Sequence, residues 1–164
     1  MANDISIVFT QTPFTINEFV RPASLPKSST FKIRGAKTMV SGFGLTEKSL
    51  DMLPLKLKLA PINIRPPSFC ETLYNGTFDG ERFLCGVGRK ITPEARRDSC
   101  KNDSGGPLIA KVLNDKNEEK FTLVGVVSTG DGVGEGVFAD CGSFGSYTKV
   151  SKYLNFIRDP VHNY

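Results

Sequence analysis

Short apolar runs separated by turn residues recur along most of this chain of 164 residues. Gly, Pro, Asn and Asp stand between the runs, a combination that predicts β-strands rather than helices. One run alternates leucine with Pro54, Lys56 and Lys58, which is the period of a strand with one apolar face. The predicted strands are 5–9, 31–33, 38–43, 53–59, 83–87, 107–113, 121–128 and 145–150.

A helical pattern is clear only near the C-terminus, where Val150, Leu154 and Ile157 fall on one face and Pro160 limits continuation. Residues 114–120 read as the charged tip of a hairpin, and 61–67 and 130–136 are the predicted loops. Many short strands with one terminal helix indicate an all-β barrel or sandwich. The length and the lack of repeats predict one domain.

The composition is that of an ordinary globular protein, with 39% hydrophobic and 23% charged residues and a net charge of +4. No apolar run approaches the ~18 residues that a membrane helix needs. The 21 basic residues are scattered among 17 acids, and only Arg89-Lys90 and Arg96-Arg97 are adjacent. Neither a nucleic acid nor a membrane is therefore expected as a partner. The start, Met-Ala-Asn-Asp, lacks the basic and apolar stretches of a signal peptide.

The four cysteines are too far apart for the ligand spacing of a zinc site. Their even number fits two disulfides, for which three pairings exist, or four free buried thiols. Pairing of neighbours is favoured among these alternatives, and disulfides imply an oxidising, extracellular setting. The glycine-rich segment 130–142 matches neither a phosphate loop nor a calcium loop, so no metal or cofactor is predicted. The cysteines are Cys70, Cys85, Cys100 and Cys141.

The segment "RDSCKNDSGGPLIA", residues 97–110, presents Ser104 between an aspartate and two glycines. Such a tight turn before an apolar run exposes a nucleophile, but a serine hydroxyl needs a base to take its proton. Histidine is the usual base. The only histidine here is His162, near the end of the chain and beyond the predicted helix.

"DSCKNDSGGPL" resembles the nucleophile motif GDSGGP of the trypsin-like serine proteases, the chymotrypsin family. Five further segments resemble that family in the same order, so the resemblance runs from residue 3 to residue 158. They are "NDISIVFTQTPFTINEFVRPASLP" (family "NDIALLKL…LP"), "VSGFG" ("SGWG"), "FLCGVG" ("ICAG"), "VGVVSTG" ("GIVSWG") and "GSYTKVSKYLNFI" ("GVYTKV…YVSWI").

The resemblance implies the C-terminal, six-stranded antiparallel barrel of a fold that has two such barrels, with a short C-terminal helix. Residues 1–21 would be a strand and crossing segment left from the N-terminal barrel, 22–149 the C-terminal barrel, and 150–164 the helix and tail. The family's histidine lies in a "TAAHC" segment of the N-terminal barrel, which this chain lacks. His162 is then expected to be an exposed tail residue.

The resemblance also implies catalytic roles. Ser104 would be the nucleophile, and Asp4 the carboxylate that orients the histidine. The backbone N–H groups of Asn102 and Ser104 would form the oxyanion hole. Asp103 would be the acid that pairs with the new N-terminal amine after activation. Asn102 departs from the glycine of most members, although asparagine tolerates left-handed backbone.

For specificity, Asp98 matches the acid at the base of the primary pocket, which favours Arg or Lys at the cleaved position of a polypeptide substrate. Gly130 and Gly145 match the wall glycines, and Ser128 begins the edge that would pair with substrate backbone. Thr129 replaces the family's tryptophan.

The family's disulfides match Cys70–Cys85 and Cys100–Cys141, which supports secretion. A third family disulfide would join positions 38 and 110, where this chain has Thr38 and Ala110. Asn75-Gly76-Thr77 is a glycosylation sequon in the first loop.

Two functions follow from these observations. The first is a trypsin-like serine endopeptidase. This chain would be part of that enzyme and would be inactive without the histidine. The second is a non-catalytic serine protease homologue that binds another protein through the same cleft. In either case Ile5, Ile7 and Phe9 lack strand partners, and the missing N-terminal half or another protein is expected to cover the apolar cleft face.

Overall fold

The computed structural model describes residues 3–33, 35–46, 52–90, 96–113, 117–130 and 144–159. Within these residues the chain is mostly sheet, with two short helices. The strands are β1 (Lys37–Gly42), β2 (Lys58–Arg65), β3 (Phe83–Lys90), β4 (Arg96–Arg97), β5 (Pro107–Leu113), β6 (Glu119–Gly130) and β7 (Phe144–Lys149). The helices are α1 (Pro67–Leu73) and α2 (Leu154–Arg158), the latter preceded by a 3₁₀ turn at Val150–Tyr153.

Six of the strands form a closed antiparallel barrel in the order β2-β1-β5-β6-β7-β3. The barrel closes because β3 pairs with β2 as well as with β7. Closure leaves no unpaired edge among these six strands. The two-residue strand β4 adds to β3 outside the closed ring. Of the two predicted all-β architectures, the barrel is confirmed.

The barrel interior is filled by side chains from alternate positions of its strands. Leu108 and Ala110 of β5 are fully buried, as is Tyr147 of β7. Thr38 and Ala110, which occupy the positions of the absent third disulfide, are directly opposite each other in the β1–β5 ladder. The buried core consists of Val40, Ile62, Leu108, Ala110, Val124, Val127 and Tyr147.

A second cluster packs around a disulfide between α1 and β3. Cys70 and Cys85 are joined, with a Cα–Cα distance of 5.8 Å, which confirms the first predicted pairing. Both are buried against Phe78, Phe83 and Phe144. Cys100 is also disulfide-bonded. Its predicted partner, Cys141, is outside the described residues.

Two predicted strands are wrong, and a third is right only in its last two residues. Residues 5–9 and 31–33 belong to no strand, and no segment that the structure describes forms a ladder with them. In 53–59, all four leucines are more than half exposed, and β2 begins only at Lys58. The first residue of β2 that pairs with β1 is Lys58, and Pro54 lacks the N–H that a ladder needs. The leucine alternation is therefore an exposed stripe and not a strand face.

The predicted loop 61–67 is also wrong, since Pro61–Arg65 belongs to β2 and Pro67 begins α1. Pro61 is opposite Met39 of β1, and pairing with β3 starts only at Ile62. A proline is tolerated where a strand is bonded on one side only. Pro67 suits the first helical turn, because N–H groups there have no helical partner.

The terminal helix and the β5–β6 hairpin agree with the predictions. Val150 and Leu154 are buried and Ile157 is half-buried. The hairpin ladder ends with Leu113 opposite Glu119, while residues 114–116 of its tip are outside the described part. Of the predicted loop 130–136 the structure describes only Gly130, and it does not describe His162. None of the described residues forms a helix long and apolar enough to cross a membrane.

Leu108→Ala should lower the free energy of unfolding by about 2–5 kcal/mol, because it leaves a cavity at a fully buried barrel position. Leu113→Ala is the matched control, since Leu113 lies in the same strand but is 61% exposed. The control should change stability by about 0.5 kcal/mol or less. Urea denaturation of both variants measures the difference. Equal losses would contradict the packing described here.

Candidate active site

The segment 98–106 forms the turn that carries Ser104 at the entry to β5. Asp103 N–H donates to the Cys100 carbonyl at 3.0 Å, and Gly106 N–H donates to the Asp103 carbonyl at 2.9 Å. Gly105 N–H donates to the Val127 carbonyl of β6 at 2.9 Å, which ties the turn to the barrel. The backbone around Ser104 is thereby held, while its side chain is exposed.

Two residues of this turn have left-handed backbone. Asn102 has a φ of 72° and Gly105 a φ of 82°. Asparagine is among the few residues other than glycine that adopt this region readily. The turn therefore keeps its conformation at Asn102, the position that is glycine in the motif it resembles.

Asp103 holds the turn against the end of β1. Its Oδ1 accepts a hydrogen bond from Gly44 N–H at 2.8 Å, and its Oδ2 accepts one from Cys100 N–H at 2.9 Å. A Cβ atom at Gly42 would lie 1.9 Å from Asp103 Oδ1, and one at Gly44 would lie 2.5 Å from it. The two glycines of "VSGFG" are thus required by the close approach of this carboxylate.

Asp4 is fixed by residues far along the chain. Ser128 Oγ donates to Asp4 Oδ2 at 2.6 Å, and Thr148 Oγ1 donates to the Asp4 carbonyl at 2.7 Å. Tyr153 Oη donates to Asn3 Oδ1 at 3.1 Å. The N-terminal segment is thus attached to the ends of β6 and β7 and to the 3₁₀ turn that follows.

An open pocket of about 180 Å³ lies between the Ser104 turn and the end of β6. Ser104 of the turn and Ser128 and Gly130 of β6 all line it. Asp4 is not among the lining residues, but it accepts the hydrogen bond from Ser128 Oγ and so lies beside the pocket. Gly130 faces Gly145 across the β6–β7 ladder. The described lining residues are Ser99, Cys100, Lys101, Ser104, Val127, Ser128, Thr129 and Gly130.

Asp98 is half-buried beside this pocket and is not among its lining residues. Its Oδ2 accepts a hydrogen bond from Gly88 N–H at 2.8 Å. Its Oδ1 accepts one from Ser99 N–H at 2.7 Å and one from Tyr147 Oη at 3.2 Å. Asp98 is thus adjacent to Ser99, which does line the pocket.

Tyr147, Ser99 and Thr148 take part in the site but were not predicted. Tyr147 Oη is 3.2 Å from Ser99 Oγ as well as from the Asp98 carboxylate. A fully buried tyrosine needs a partner for its hydroxyl, and that need is the only sequence signal for this contact. Burial, with a smaller contribution from the Asp98 charge, raises the pKa of Tyr147 far above its ordinary value.

The sequon residue Asn75 is exposed in the turn after α1, with a φ of 50°. Thr77 Oγ1 donates to the Tyr74 carbonyl at 2.6 Å and stabilises this turn. Nothing in the described surroundings covers Asn75, so it stays a predicted glycosylation site. Among the described residues, no group of three or more His, Cys, Asp or Glu side chains is placed to hold a metal ion.

A comparison with protein families matches the family described as Trypsin to residues 1–157. The chain belongs to the trypsin-like serine protease family. Its barrel, its terminal helix and the order of its motifs agree with this membership.

The chain is similar to individual trypsin-like proteins along nearly its whole length. It is 34% identical to cationic trypsin-3 of Rattus norvegicus over 97% of its length and 56% of that protein's. It is 31% identical to trypsin of Sus scrofa over 97% of its length and 60% of that protein's. It is 32% identical to kallikrein-11 of Homo sapiens over 98% of its length and 50% of that protein's. The chain therefore spans only about half to three fifths of these relatives.

The Tyr147 contact predicts a loss of stability in alkali. A phenol whose pKa is raised by folding stabilises the fold fully below its unfolded pKa of about 10, and the contribution is lost as the pH rises beyond that value. The free energy of unfolding should then fall by up to about 1.4 kcal/mol per pH unit. Urea denaturation from pH 8 to pH 11 should show a flatter dependence for Tyr147→Phe. Identical slopes for the two proteins would refute the assignment.

Proposed function

We propose that the protein is part of a trypsin-like serine endopeptidase that cleaves polypeptides after Arg or Lys through an acyl-enzyme. The observation that carries the proposal is the hydrogen bond from Ser128 to Asp4, because Ser128 and Ser104 line the same pocket. Residues from three distant parts of the chain thus meet at one cleft. Family membership supports the same reaction class.

In this proposal the Ser104 hydroxyl attacks the substrate carbonyl, and a histidine takes its proton. Asp4 orients that histidine and stabilises its imidazolium form, while Ser128 and Thr148 hold Asp4 in place. The N–H groups of Ser104 and Asn102 receive the negative charge that develops on the carbonyl oxygen. The left-handed backbone at Asn102 favours this use of its N–H group. Asp103 keeps its proposed role as partner of an activation amine.

The pocket is proposed to take a basic side chain. Asp98 would supply the negative charge, and Gly130 and Gly145 would leave the walls without side chains. The described donors to Asp98 are the amides of Gly88 and Ser99 and the hydroxyls of Ser99 and Tyr147, all of which are neutral groups. Removing Asp98 from this network should therefore weaken the binding of a cation more than that of a neutral molecule.

The histidine would have to come from sequence beyond this chain, because the segment 3–158 that resembles the family holds none. Residues 1–21 would be the part of the first barrel that is present, 22–149 the second barrel and 150–164 its helix and tail. The exposed apolar residues of the first segment support a cover over the cleft face, which would be the N-terminal half or another protein. They include Val8, Phe9, Phe14 and Phe19. The disulfide and the sequon support secretion and glycosylation at Asn75.

The purified chain should not turn over an arginyl or lysyl ester. Loss of the histidine from a serine protease triad costs on the order of 10⁶ in turnover, or ~8 kcal/mol. The assay is ester hydrolysis with Ser104→Ala as the control for background activity. Turnover on the order of 1 s⁻¹ that disappears in Ser104→Ala would show that the chain needs no further base.

Benzamidine binding tests the specificity without any need for the histidine. Calorimetry should show binding that Asp98→Asn weakens by about tenfold or more, since an amidinium loses its charged partner. Asp79→Asn is the matched control, because Asp79 is ion-paired with Arg82 away from the pocket. If Asp98→Asn and Asp79→Asn behave alike, the proposed specificity for Arg and Lys is wrong.

A non-catalytic homologue that binds a protein partner through the cleft is the second candidate. Asn102 favours it, because a side chain at the oxyanion position would crowd an incoming substrate. Joining the chain to a histidine-bearing N-terminal barrel of a trypsin separates the two functions. Ester hydrolysis that requires Ser104 would support the endopeptidase, and a folded but inactive protein would support the homologue.

A further inference from the structure

The fold brings the only two adjacent basic pairs of the sequence face to face. In the β3–β4 ladder Arg89 is opposite Arg97, and Lys90 is opposite Arg96. From this register we infer that these four residues, termed here the basic ribbon, bind a linear sulfated polysaccharide. The inference is independent of whether the cleft is catalytic.

Like charges at directly opposed positions destabilise a sheet, so the ribbon is costly unless an anion neutralises it. Arg89 and Arg97 are both exposed. Neither forms an ion pair or a side-chain hydrogen bond with another described residue. None of the residues that the structure describes therefore takes up their guanidinium donors, which can bind an anion.

A further cation lies at the same end of the barrel. Because β2 and β3 are antiparallel, with Ile62 opposite Gly88, the start of β2 and the end of β3 lie together. Lys58, the first residue of β2, is exposed there. The segment 89–97 itself carries four basic residues and one acid, Glu94, which is outside the described residues. The local charge is therefore strongly positive in a protein whose net charge is only +4.

The shape and chemistry of the ribbon favour a sulfated polysaccharide over other anions. Side chains alternate between the faces of a strand, so Arg89 and Arg97 are on one face and the positions of Lys90 and Arg96 are on the other. A flexible linear anion can follow both faces, whereas a rigid protein surface can cover one. Arginine binds sulfate with two parallel hydrogen bonds. Strand β3 also carries Cys85 of the disulfide, and disulfides persist in the extracellular compartment where such polysaccharides occur.

The test measures binding of a fluorescent heparin octasaccharide to the full chain by anisotropy at several salt concentrations. The double variant Arg89→Ala/Arg97→Ala should weaken binding by about tenfold at low salt. It should also reduce the slope of log affinity against log salt by about two, because two anion contacts are lost. Arg89→Gln/Arg97→Gln provides a second variant if the first unfolds, as judged by its urea midpoint.

The matched control is Lys120→Ala/Arg158→Ala, which removes the same charge. Both residues are exposed, Lys120 in β6 opposite Val112 and Arg158 in α2, and neither element pairs with β3 or β4. The control should weaken binding by about twofold or less. Equal losses in both double variants, or absence of saturable binding, would overturn the inference. Equally tight binding of a single-stranded DNA or of desulfated heparin would also overturn it.

Discussion

The pairing of β2 with β3 is the interaction on which the rest of the structure depends. It turns a sheet of neighbouring strands into a ring, and the disulfide between Cys70 and Cys85 joins β3 to the helix that follows β2. Ser104 stands on the loop that enters β5, and Ser128 and Gly130 lie near the end of β6, so the ring fixes the positions of all three. Without closure, β2 and β3 would be edge strands with unpaired backbone groups, which are prone to pair with other chains.

The strands that sequence patterns predicted well are those whose apolar residues face the barrel interior, such as β5 and β7. The leucines of 53–59 have the same alternation, but their exposure shows that periodicity alone does not reveal whether a partner is present. Part of strand β2 was missed although it has partner strands, because its prolines argued against a strand. Its two strand-breaking signals, Pro61 and Pro67, occupy a singly bonded position and a helix start, where proline is harmless.

The resemblance named more of the candidate site's residues than of the contacts between them. Ser104, Asp4 and Ser128 were named from resemblance, and in the structure Ser104 and Ser128 line one pocket while Asp4 is hydrogen-bonded to Ser128. The hydrogen bonds that Tyr147 and Thr148 supply could not be read from sequence. These hydrogen bonds depend on the direction in which the side chains of β7 point. They also depend on contacts between residues up to 144 positions apart in the chain. Asp98 also could not be placed from sequence. The β3–β4 ladder brings Gly88 N–H to its carboxylate, and this contact holds Asp98 beside the pocket.

The attachment of Asp4 has a consequence for the order of assembly during synthesis. Asp4 is synthesised well before its partner Thr148, which lies 144 residues later in the chain. Contacts of such long sequence separation form late, after the loop they close has been ordered by other strands. The segment that carries Asp4 and the exposed Phe9, Phe14 and Phe19 therefore stays without this attachment until β7 has been made, which leaves its apolar side chains open to association with other chains during that time.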